Sequence, residues 1–431
     1  MAVPQTENHN IGNSKIILVG VMLPGTAEAA FESSLDELGR LADTAGGEVV
    51  GTLVQRLDSV NAASIIGSGK LSELSDMCKA LEADTVVFDF ELSPSQIRNI
   101  TDALDDIVVI DRTMLILDIF ALHATSGEGK LQVELALLKY SAPRLCGKGI
   151  EMSRLGGGIG TRGPGETKLE SDRRHIRRRI QSLEESLSEL ERTRKTMRAA
   201  RDRSAVPNVA IVGYTNAGKS TLINYLTDAG VLAEDKLFAT LDPTTRRFTL
   251  PNGENILLTD TVGFISNLPH QLVKAFRSTL DEAVYADILI ILCDASDPEC
   301  AEKLEVTEQT LESLGAADKP VLYVYNKCDV VDFDMSRIPG TLSDSRLKVF
   351  VSAATGEGID ELTEKLEEII ASGKTTETFR FPASEFSSIN LLYREASVIS
   401  VDYTEDGATV TASVDARVKG MLSRFIEKCD G

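Results

Sequence analysis

The residues most able to do chemistry lie in a glycine-rich loop, residues 213–220, which reads Gly-Tyr-Thr-Asn-Ala-Gly-Lys-Ser. Backbone N–H groups of such a loop can surround phosphates, and the helix behind it adds the positive end of its dipole. Lys219 would reach the β- and γ-phosphates of a nucleoside triphosphate, and the Ser220 hydroxyl would hold Mg²⁺. An apolar run at 209–212 and a helical run at 221–226 flank the loop as this chemistry requires. The residues predicted to bind phosphate are Gly213, Tyr214, Thr215, Asn216, Ala217, Gly218, Lys219, Ser220 and Thr221.

A second motif, Asp260-Thr261-Val262-Gly263, follows a predicted strand at 256–259. Asp260 can supply a carboxylate to the Mg²⁺ shell, and Gly263 can bring its N–H to the γ-phosphate. We therefore predict that Asp260, Thr261, Val262 and Gly263 all line the nucleotide, with Asp260 and Ser220 as metal ligands.

Between the loop and this motif lies segment 238–246, which contains three threonines. A threonine here can ligate Mg²⁺ only while the γ-phosphate is present, so the segment would become ordered with the triphosphate. Thr240 is the predicted ligand, with Thr244 or Thr245 as alternatives. The residues predicted to act in catalysis are Lys219, Gly263 and Thr240.

Two motifs at later strand ends are predicted to select the base. Asp329, in Asn326-Lys327-Cys328-Asp329, can accept hydrogen bonds from both N–H groups on the edge of guanine, a pattern that adenine does not offer. The predicted nucleotides are therefore GTP and GDP. The motif at 352–354 is predicted to close over the base. The residues predicted to contact the base are Asn326, Lys327, Asp329, Ser352, Ala353 and Ala354.

Phe264 stands where Ras-like proteins carry a glutamine that orients the attacking water. Because a phenyl ring cannot orient water, we predict slow intrinsic hydrolysis that needs outside help. That help would come from a group on a partner or from a monovalent cation. Asn216 is placed to ligate K⁺, as in related potassium-stimulated GTPases.

The elements that position these motifs follow from hydrophobic patterning. Residues 1–128 alternate short apolar runs with helical patterns, which predicts a parallel sheet covered by helices. Its predicted strands are 16–23, 49–54, 85–90 and 107–110, and its predicted helices are 27–41, 70–81 and 93–104. The sequence Gly67-Ser68-Gly69-Lys70 is interpreted as the turn at the start of a helix rather than as a second nucleotide site.

Residues 129–205 are predicted to form a hairpin of two long helices. One has apolar residues along one face from Leu131, and the other, from about 168 to 203, repeats apolar residues at alternating spacings of four and three. Their connection at 156–165 has six glycines in ten positions. It is either a flexible linker or a loop whose backbone approaches a polyanion closely.

Charge distribution bears on that choice. The whole chain has a formal net charge of -21, which disfavours indiscriminate binding to nucleic acid or anionic membrane, but residues 151–203 carry +5. A charged helix face can also be merely solvated. The residues predicted to contact RNA are Gly157, Gly158, Arg162, Gly163, Arg173, Arg174 and Arg177.

The remaining chain is predicted to form a P-loop domain at 206–373 and a small α+β domain at 374–431. Strands in the first are predicted at 209–212, 256–259, 288–293, 321–325 and 347–351. The second follows a linker at 371–373 and is predicted to contain strands at 396–402 and 408–415 and a helix at 418–428. The fold class is therefore α/β and multidomain.

Composition narrows the setting. The six cysteines are scattered without a C-x-x-C spacing, which favours a reducing compartment over disulfides or a zinc site. No apolar run approaches the length of a membrane span, and residues 1–13 are polar. We therefore expect a cytoplasmic protein with no membrane span.

These motifs together resemble the HflX family of bacterial GTPases over nearly the whole chain. The resemblance is carried by segments 66–71, 156–167 and 213–221, and by the long run from Asp260 to Leu280. It implies that Phe264 is native to the family. It also implies a factor that binds the large ribosomal subunit, splits or rescues stalled ribosomes and uses GTP as a timer. The glycine loop would then reach toward ribosomal RNA near the peptidyl-transferase region.

Two other functions stay open at this point. One is an RNA-remodelling enzyme whose N-terminal domain hydrolyses ATP, a property that the resemblance also brings with it. The other is a nucleotide-gated adaptor that regulates a protease or another protein partner.

Overall fold

A computed structural model places three sheets and their helices in sequence. The structure describes residues 11–105, 107–144, 164–201, 206–227, 237–238, 243–265, 277–330, 347–404, 406–414 and 416–427. The mixed α/β class predicted above is confirmed.

The first sheet is parallel throughout, with strand order β2-β1-β3-β4. Six consecutive residues of β1 are buried, because helices cover both faces of such a sheet. The strands are β1 Lys15–Met22, β2 Glu48–Arg56, β3 Thr85–Phe88 and β4 Val108–Asp111. The helices are α1 Glu28–Thr44, α2 Ser68–Leu81, α3 Pro94–Ala103 and α4 Arg112–His123.

Helix starts in this region follow local chemistry. Ser93 caps α3 in a capping box with Gln96. Gly67 is the N-cap of α2, and its N–H donates to the Gln55 side chain at 3.0 Å. Lys70 is paired with Glu73 at 2.9 Å. The 67–70 segment is thus the start of a helix, as the sequence predicts.

Two helices then pack against each other, α5 Gly127–Ser141 and α6 Pro164–Arg201. Arg179 makes two hydrogen bonds of 2.7 Å to Glu134 across the contact. Of the predicted apolar seam on α6, Leu183 is buried whereas Leu190 is 37% exposed. The far end of the seam is therefore uncovered by the described residues.

The second sheet has strand order β10-β9-β8-β5-β7-β6, with β6 antiparallel at its edge. The edge strand β6 was not predicted, because its sequence, Thr-Arg-Arg-Phe-Thr, is mostly polar. The strands are β5 Asn208–Gly213, β6 Thr245–Thr249, β7 Asn255–Asp260, β8 Ile288–Asp294, β9 Val321–Asn326 and β10 Lys348–Phe350. The helices are α7 Lys219–Thr227, α8 Arg277–Tyr285, α9 Cys300–Leu314 and α10 Ile359–Ser372.

The third sheet is antiparallel, with order β11-β13-β12. Its strands are β11 Thr375–Pro382, β12 Ser397–Thr404 and β13 Gly407–Val414, and its helices are α11 Ile389–Glu395 and α12 Ala416–Met421. Strand β11 is not among the strands that the sequence predicts.

Two predictions about the C-terminal part are wrong. The helix expected at 418–428 ends at Met421, because Ile426 forms a bridge with Phe379 and Phe425 packs 4.7 Å from the Phe381 ring. The linker expected at 371–373 is mostly helical, since α10 continues to Ser372.

One apolar core is shared by the first two sheets, and each of these sheets has a further core of its own. Phe120 of α4 packs edge-on against Phe238, with ring centroids 4.6 Å apart. The Leu237 N–H donates to the Thr44 hydroxyl at 3.4 Å. In the part of the chain described here, no helix is long and apolar enough to cross a membrane.

Candidate functional site

The predicted phosphate loop connects β5 to α7 at the carboxyl end of the second sheet, where open α/β sheets bind ligands. Asn216 and Gly218 take positive φ values of 61° and 93° to make the turn. A Cβ at Gly218 would lie 2.2 Å from the amide nitrogen of Asn326. Only glycine fits there, so the second glycine of the motif has a packing reason as well as a conformational one.

Lys219 begins α7 and is 7% exposed. Its ammonium group donates to the carbonyls of Gly213 at 3.2 Å and Tyr214 at 2.7 Å. Burial lowers the pKa of Lys219 to about 8, against the opposing pull of the Asp260 carboxylate. The loop therefore holds its cation beside the backbone that would surround the phosphates.

The two predicted metal ligands that the structure describes lie together. The Ser220 hydroxyl donates to Asp260 Oδ2 at 2.9 Å, and Asp260 is fully buried at the end of β7. A hydroxyl and a carboxylate are the hard oxygen ligands that Mg²⁺ prefers, so this pair fits a magnesium site. The third predicted ligand, Thr240, lies outside the described residues.

The two alternatives to Thr240 are described. The Thr244 carbonyl accepts the Asp260 N–H at 2.9 Å, which places Thr244 beside the predicted metal pair. The Thr245 hydroxyl lies 3.0 Å from the Thr259 hydroxyl across the β6–β7 ladder. The Thr245 hydroxyl thus makes its contact within the sheet.

Gly263 brings the second motif against the loop. A Cβ at this position would lie 2.8 Å from the Thr215 Cα and 3.0 Å from the Lys219 ammonium nitrogen. The next residue, Phe264, donates its N–H to the Gly213 carbonyl at 3.0 Å and accepts the Thr215 N–H at 2.8 Å. The Phe264 side chain is 2% exposed and lies in the shared core. The Phe264 ring therefore packs in the core and does not face the phosphate loop.

Asn326 ties the base motifs to the phosphate loop. Its amide donates to the Ala217 carbonyl at 2.9 Å and accepts the Ala353 N–H at 2.9 Å. Lys327 pairs with Asp294 at 2.7 Å, and Asp329 is exposed. The predicted base contacts thus converge on one end of the sheet.

Three of the residues predicted to contact the nucleotide direct their side chains away from the phosphate loop. The Thr261 hydroxyl donates to the Ile211 carbonyl at 2.7 Å, and Val262 is buried in the core. The Tyr214 hydroxyl donates to the carboxylate of Glu37 in the first sheet's helix α1. Only the backbone groups of these residues can serve a nucleotide.

Sequence reasoning missed the buried cluster that receives Tyr214. Glu37 also pairs with Arg112, which pairs in turn with Asp89 at 2.8 Å. Burial opposes the charge of Arg112, but the Glu37 and Asp89 carboxylates raise its pKa above the ordinary value. Glu37 and Tyr214 are 177 residues apart, so no local spacing could have linked them.

A cleft lies beside the phosphate loop, with an empty volume of about 510 Å³ that includes its open mouth. It borders loop residues 214–217 but none of Lys219, Ser220, Asp260 or Asn326. Its other walls are the end of β8, the start of α9 and helix α1. These wall residues include Glu37, Arg40, Cys293, Asp297, Cys300 and Lys303.

The predicted RNA contacts divide into two groups. Arg173, Arg174 and Arg177 lie on α6 and are exposed. Gly157, Gly158, Arg162 and Gly163 lie outside the described residues.

Three family models match successive parts of the chain. One described as GTP-binding GTPase N-terminal matches residues 32–121, and one described as GTP-binding GTPase Middle Region matches 123–201. A third, described as 50S ribosome-binding GTPase, matches 208–327. The solved structure of a GTP-binding protein from Sulfolobus solfataricus in complex with GDP is 28% identical and covers 83% of this chain and 99% of that one. The TM-score of this comparison is 0.43.

Two other relatives share a higher sequence identity with this chain. A GTPase HflX of Caldanaerobacter subterraneus subsp. tengcongensis is 50% identical over 395 residues, which cover 92% of this chain and 90% of that protein. The GTPase HflX of Escherichia coli (strain K12) is 41% identical over 380 residues, which cover 88% and 89% respectively. Identity at this level along nearly the whole chain shows the family. The chain is a GTPase of the HflX family.

Proposed function

We propose that this GTPase binds the large ribosomal subunit and splits or rescues stalled ribosomes, with GTP hydrolysis as the timer of release. The observation that carries the proposal is the row of exposed arginines on α6, which includes Arg173, Arg174, Arg177 and Arg178. They lie in a segment of charge +5 in a chain of charge -21. Such a local excess of cations on an acidic protein fits contact with an RNA backbone.

The nucleotide chemistry is assigned to the loop and its two partner motifs. Lys219 and the loop N–H groups bind the β- and γ-phosphates, Gly263 contacts the γ-phosphate, and Asp329 selects guanine. Ser220 and Asp260 would hold Mg²⁺, with Thr240 as a third ligand, and the bound ion would supply positive charge to neutralise the charge that develops on the phosphates. Because the Phe264 ring is buried, no glutamine-like group orients water at that position, and intrinsic hydrolysis is slow.

Two sources of help for hydrolysis remain in the proposal. Ribosomal RNA or protein could supply a group, or K⁺ could bind at Asn216, which is exposed in the phosphate loop with φ 61°. Turnover in KCl and in NaCl at equal ionic strength separates the two, since only cation assistance predicts a faster rate in KCl. Equal rates in both salts would remove K⁺ from the proposal.

Turnover of GTP with and without purified large subunits tests ribosome binding as a whole. Stimulation of at least about tenfold is expected if the subunit supplies a missing transition-state interaction. Unchanged turnover together with no co-sedimentation would overturn the ribosome proposal and favour the adaptor function.

The arginine row is tested by the triple variant Arg173→Ala/Arg174→Ala/Arg177→Ala. Without these phosphate-binding groups, the slope of log affinity against log salt should flatten by about one for each arginine removed. The matched control removes three arginines that are exposed elsewhere, Arg98, Arg380 and Arg424. If both triple variants bind large subunits alike, α6 is not the contact surface.

The glycine loop has its own test, deletion of residues 156–165. We expect the deletion to abolish ribosome splitting while GTP binding persists, because the loop lies apart from the nucleotide motifs in sequence. Splitting at the wild-type rate would show that the loop is only a linker.

A further inference from the structure

Two free thiols, Cys293 and Cys300, line the cleft beside the phosphate loop. Cys293 is the last residue but one of β8 and is 6% exposed, whereas Cys300 is the first residue of α9 and is partly exposed. Both residues border that one cleft and belong to the same packed cluster. The fold therefore brings a buried cysteine and a partly exposed cysteine to the same cleft.

The surroundings make the two thiols unequal. The hydrogen bond from Cys293 lowers the pKa of Cys300, and Lys303 adds to this effect, while burial, Asp297 and Asp294 oppose it. The same bond, with burial, raises the pKa of Cys293 well above its ordinary value. Cys300 also lies at the N-terminus of a helix, where a thiolate is favoured. Cys300 is thus the sulfur that ionises first.

Two other thiols of the chain serve as internal references. Burial raises the pKa of both Cys78 and Cys328. The Cys328 thiol donates to the Tyr325 carbonyl at 3.3 Å. Both thiols are therefore held protonated, the unreactive form.

We propose that Cys293 and Cys300 form a peroxide-responsive thiol pair, in which Cys300 attacks the oxidant and Cys293 resolves the product into a disulfide. In the first step the Cys300 thiolate displaces hydroxide from hydrogen peroxide, so that its sulfur is oxidised to the sulfenic acid and the O–O bond breaks. In the second step the Cys293 sulfur attacks that sulfur. The S–O bond breaks, the S–S bond forms, and the Cys293 proton leaves with the oxygen as water.

The intervening turn holds the pair in place for the second step. The Asp294 carboxylate accepts the Ser296 N–H at 3.0 Å, and the Asp297 carbonyl accepts the Cys300 N–H at 3.1 Å. Because both side chains border the same cleft, their sulfur atoms share the space in which a disulfide would form.

The pair also adjoins the phosphate loop. The Leu292 carbonyl, one residue before Cys293, lies where a Cβ on Gly213 would be only 2.2 Å away. Lys303, one turn after Cys300, lies 5.4 Å from the centre of the Tyr214 ring. The proposed modification therefore occurs beside the phosphate loop, and it does not depend on ribosome binding.

Peptide mapping of the full chain tests the proposal. The reduced protein is exposed to hydrogen peroxide, then denatured, alkylated and digested, with Cys328 and Cys78 followed in the same sample. We expect the peptide with Cys293 and Cys300 to lose two hydrogens and escape alkylation about tenfold faster than Cys328 is modified, because the thiolate is the reactive form. Dithiothreitol should restore both alkylation sites.

Two variants assign the roles. In Cys293→Ser the oxidation should stop at the sulfenic acid of Cys300, which dimedone captures, and in Cys300→Ser the Cys293 thiol should stay reduced. Because the wild-type mapping needs no variant, a folding defect in either one leaves the test intact. Oxidation of Cys293 and Cys300 no faster than Cys328, or disulfides formed only with other cysteines, would overturn the proposal.

Discussion

The hydroxyl of Tyr214 donates a hydrogen bond to the buried carboxylate of Glu37, and so joins the phosphate loop to helix α1 of the N-terminal sheet. Arg112 pairs with the same carboxylate. A residue inside the nucleotide motif is therefore also part of the interface between two sheets. A substitution at Tyr214 or at Glu37 should therefore affect the packing around the other residue.

Replacement of Tyr214 by Phe tests that contact. We expect a loss of about 1–2 kcal/mol in the free energy of unfolding, because a hydrogen bond to a buried charge is removed while Glu37 keeps Arg112. Tyr393→Phe, at a tyrosine that is 57% exposed, is the control and should change stability by less than about 0.5 kcal/mol. Equal effects in urea denaturation would show that the Tyr214 contact contributes nothing.

Replacement of Lys219 by Met should abolish GTP hydrolysis and raise the free energy of unfolding. Since burial lowers the pKa of Lys219 to about 8, the folded protein binds fewer protons than the unfolded chain between pH 8 and 10.5. The charge therefore costs stability at pH 7, by at most about 3 kcal/mol, and the cost fades as pH rises toward 10.5.

In nucleotide-free protein we thus expect Lys219→Met to unfold at higher denaturant than wild type at pH 7, with a gain of about 1–2 kcal/mol once the two missing hydrogen bonds are subtracted. The gain should shrink by pH 10, and GTP hydrolysis should be abolished. The exposed-lysine variant Lys130→Met is the control. A destabilised Lys219→Met at pH 7 would mean that the two carbonyl contacts outweigh the burial of charge.

The substitution Asp329→Asn should change the preferred base from guanine to xanthine. Xanthine carries a carbonyl where guanine carries an amino group, so the amide N–H of asparagine can donate where the aspartate oxygen accepted. We expect GTP affinity to fall about a hundredfold and XTP to bind in its place. Equilibrium binding of both nucleotides measures this, with the exposed Asp318→Asn as control. Retained preference for GTP would remove Asp329 from the base site.

Asp118 of α4 makes the stability of the fold depend on pH. Burial raises its pKa to about 7 from an ordinary 3.8, so the folded state holds this proton through a range where the unfolded chain has released it. Stability contributed by this group therefore falls as pH rises from about 4 to 7.

Asp118→Asn should consequently raise the free energy of unfolding by about 1–2 kcal/mol at pH 8 and leave it unchanged near pH 4. Denaturation curves at several pH values measure the difference. Asp76→Asn, at an exposed aspartate of α2, should show no such trend. A benefit independent of pH would indicate that the effect is not the titration of Asp118.

The sequence alone predicted the two parallel α/β units and the motifs at their strand ends. It could do so because buried parallel strands have continuous apolar runs, and because phosphate loops need glycines at fixed spacing. Ser220 and Asp260, which these motifs single out, lie in hydrogen-bond contact in the structure. Elements that lack an apolar pattern, such as the polar edge strand β6, were missed.

Local pattern also could not show where distant segments meet. The contact of Tyr214 with Glu37, the shared core around Phe120 and Phe238, and the position of Cys293 and Cys300 at one cleft depend on how whole elements pack. A side chain's partner across an interface is chosen by shape and charge in three dimensions, not by spacing along the chain. The sequence therefore determined the chemistry of the nucleotide loop, and only the tertiary structure decided what lies behind it.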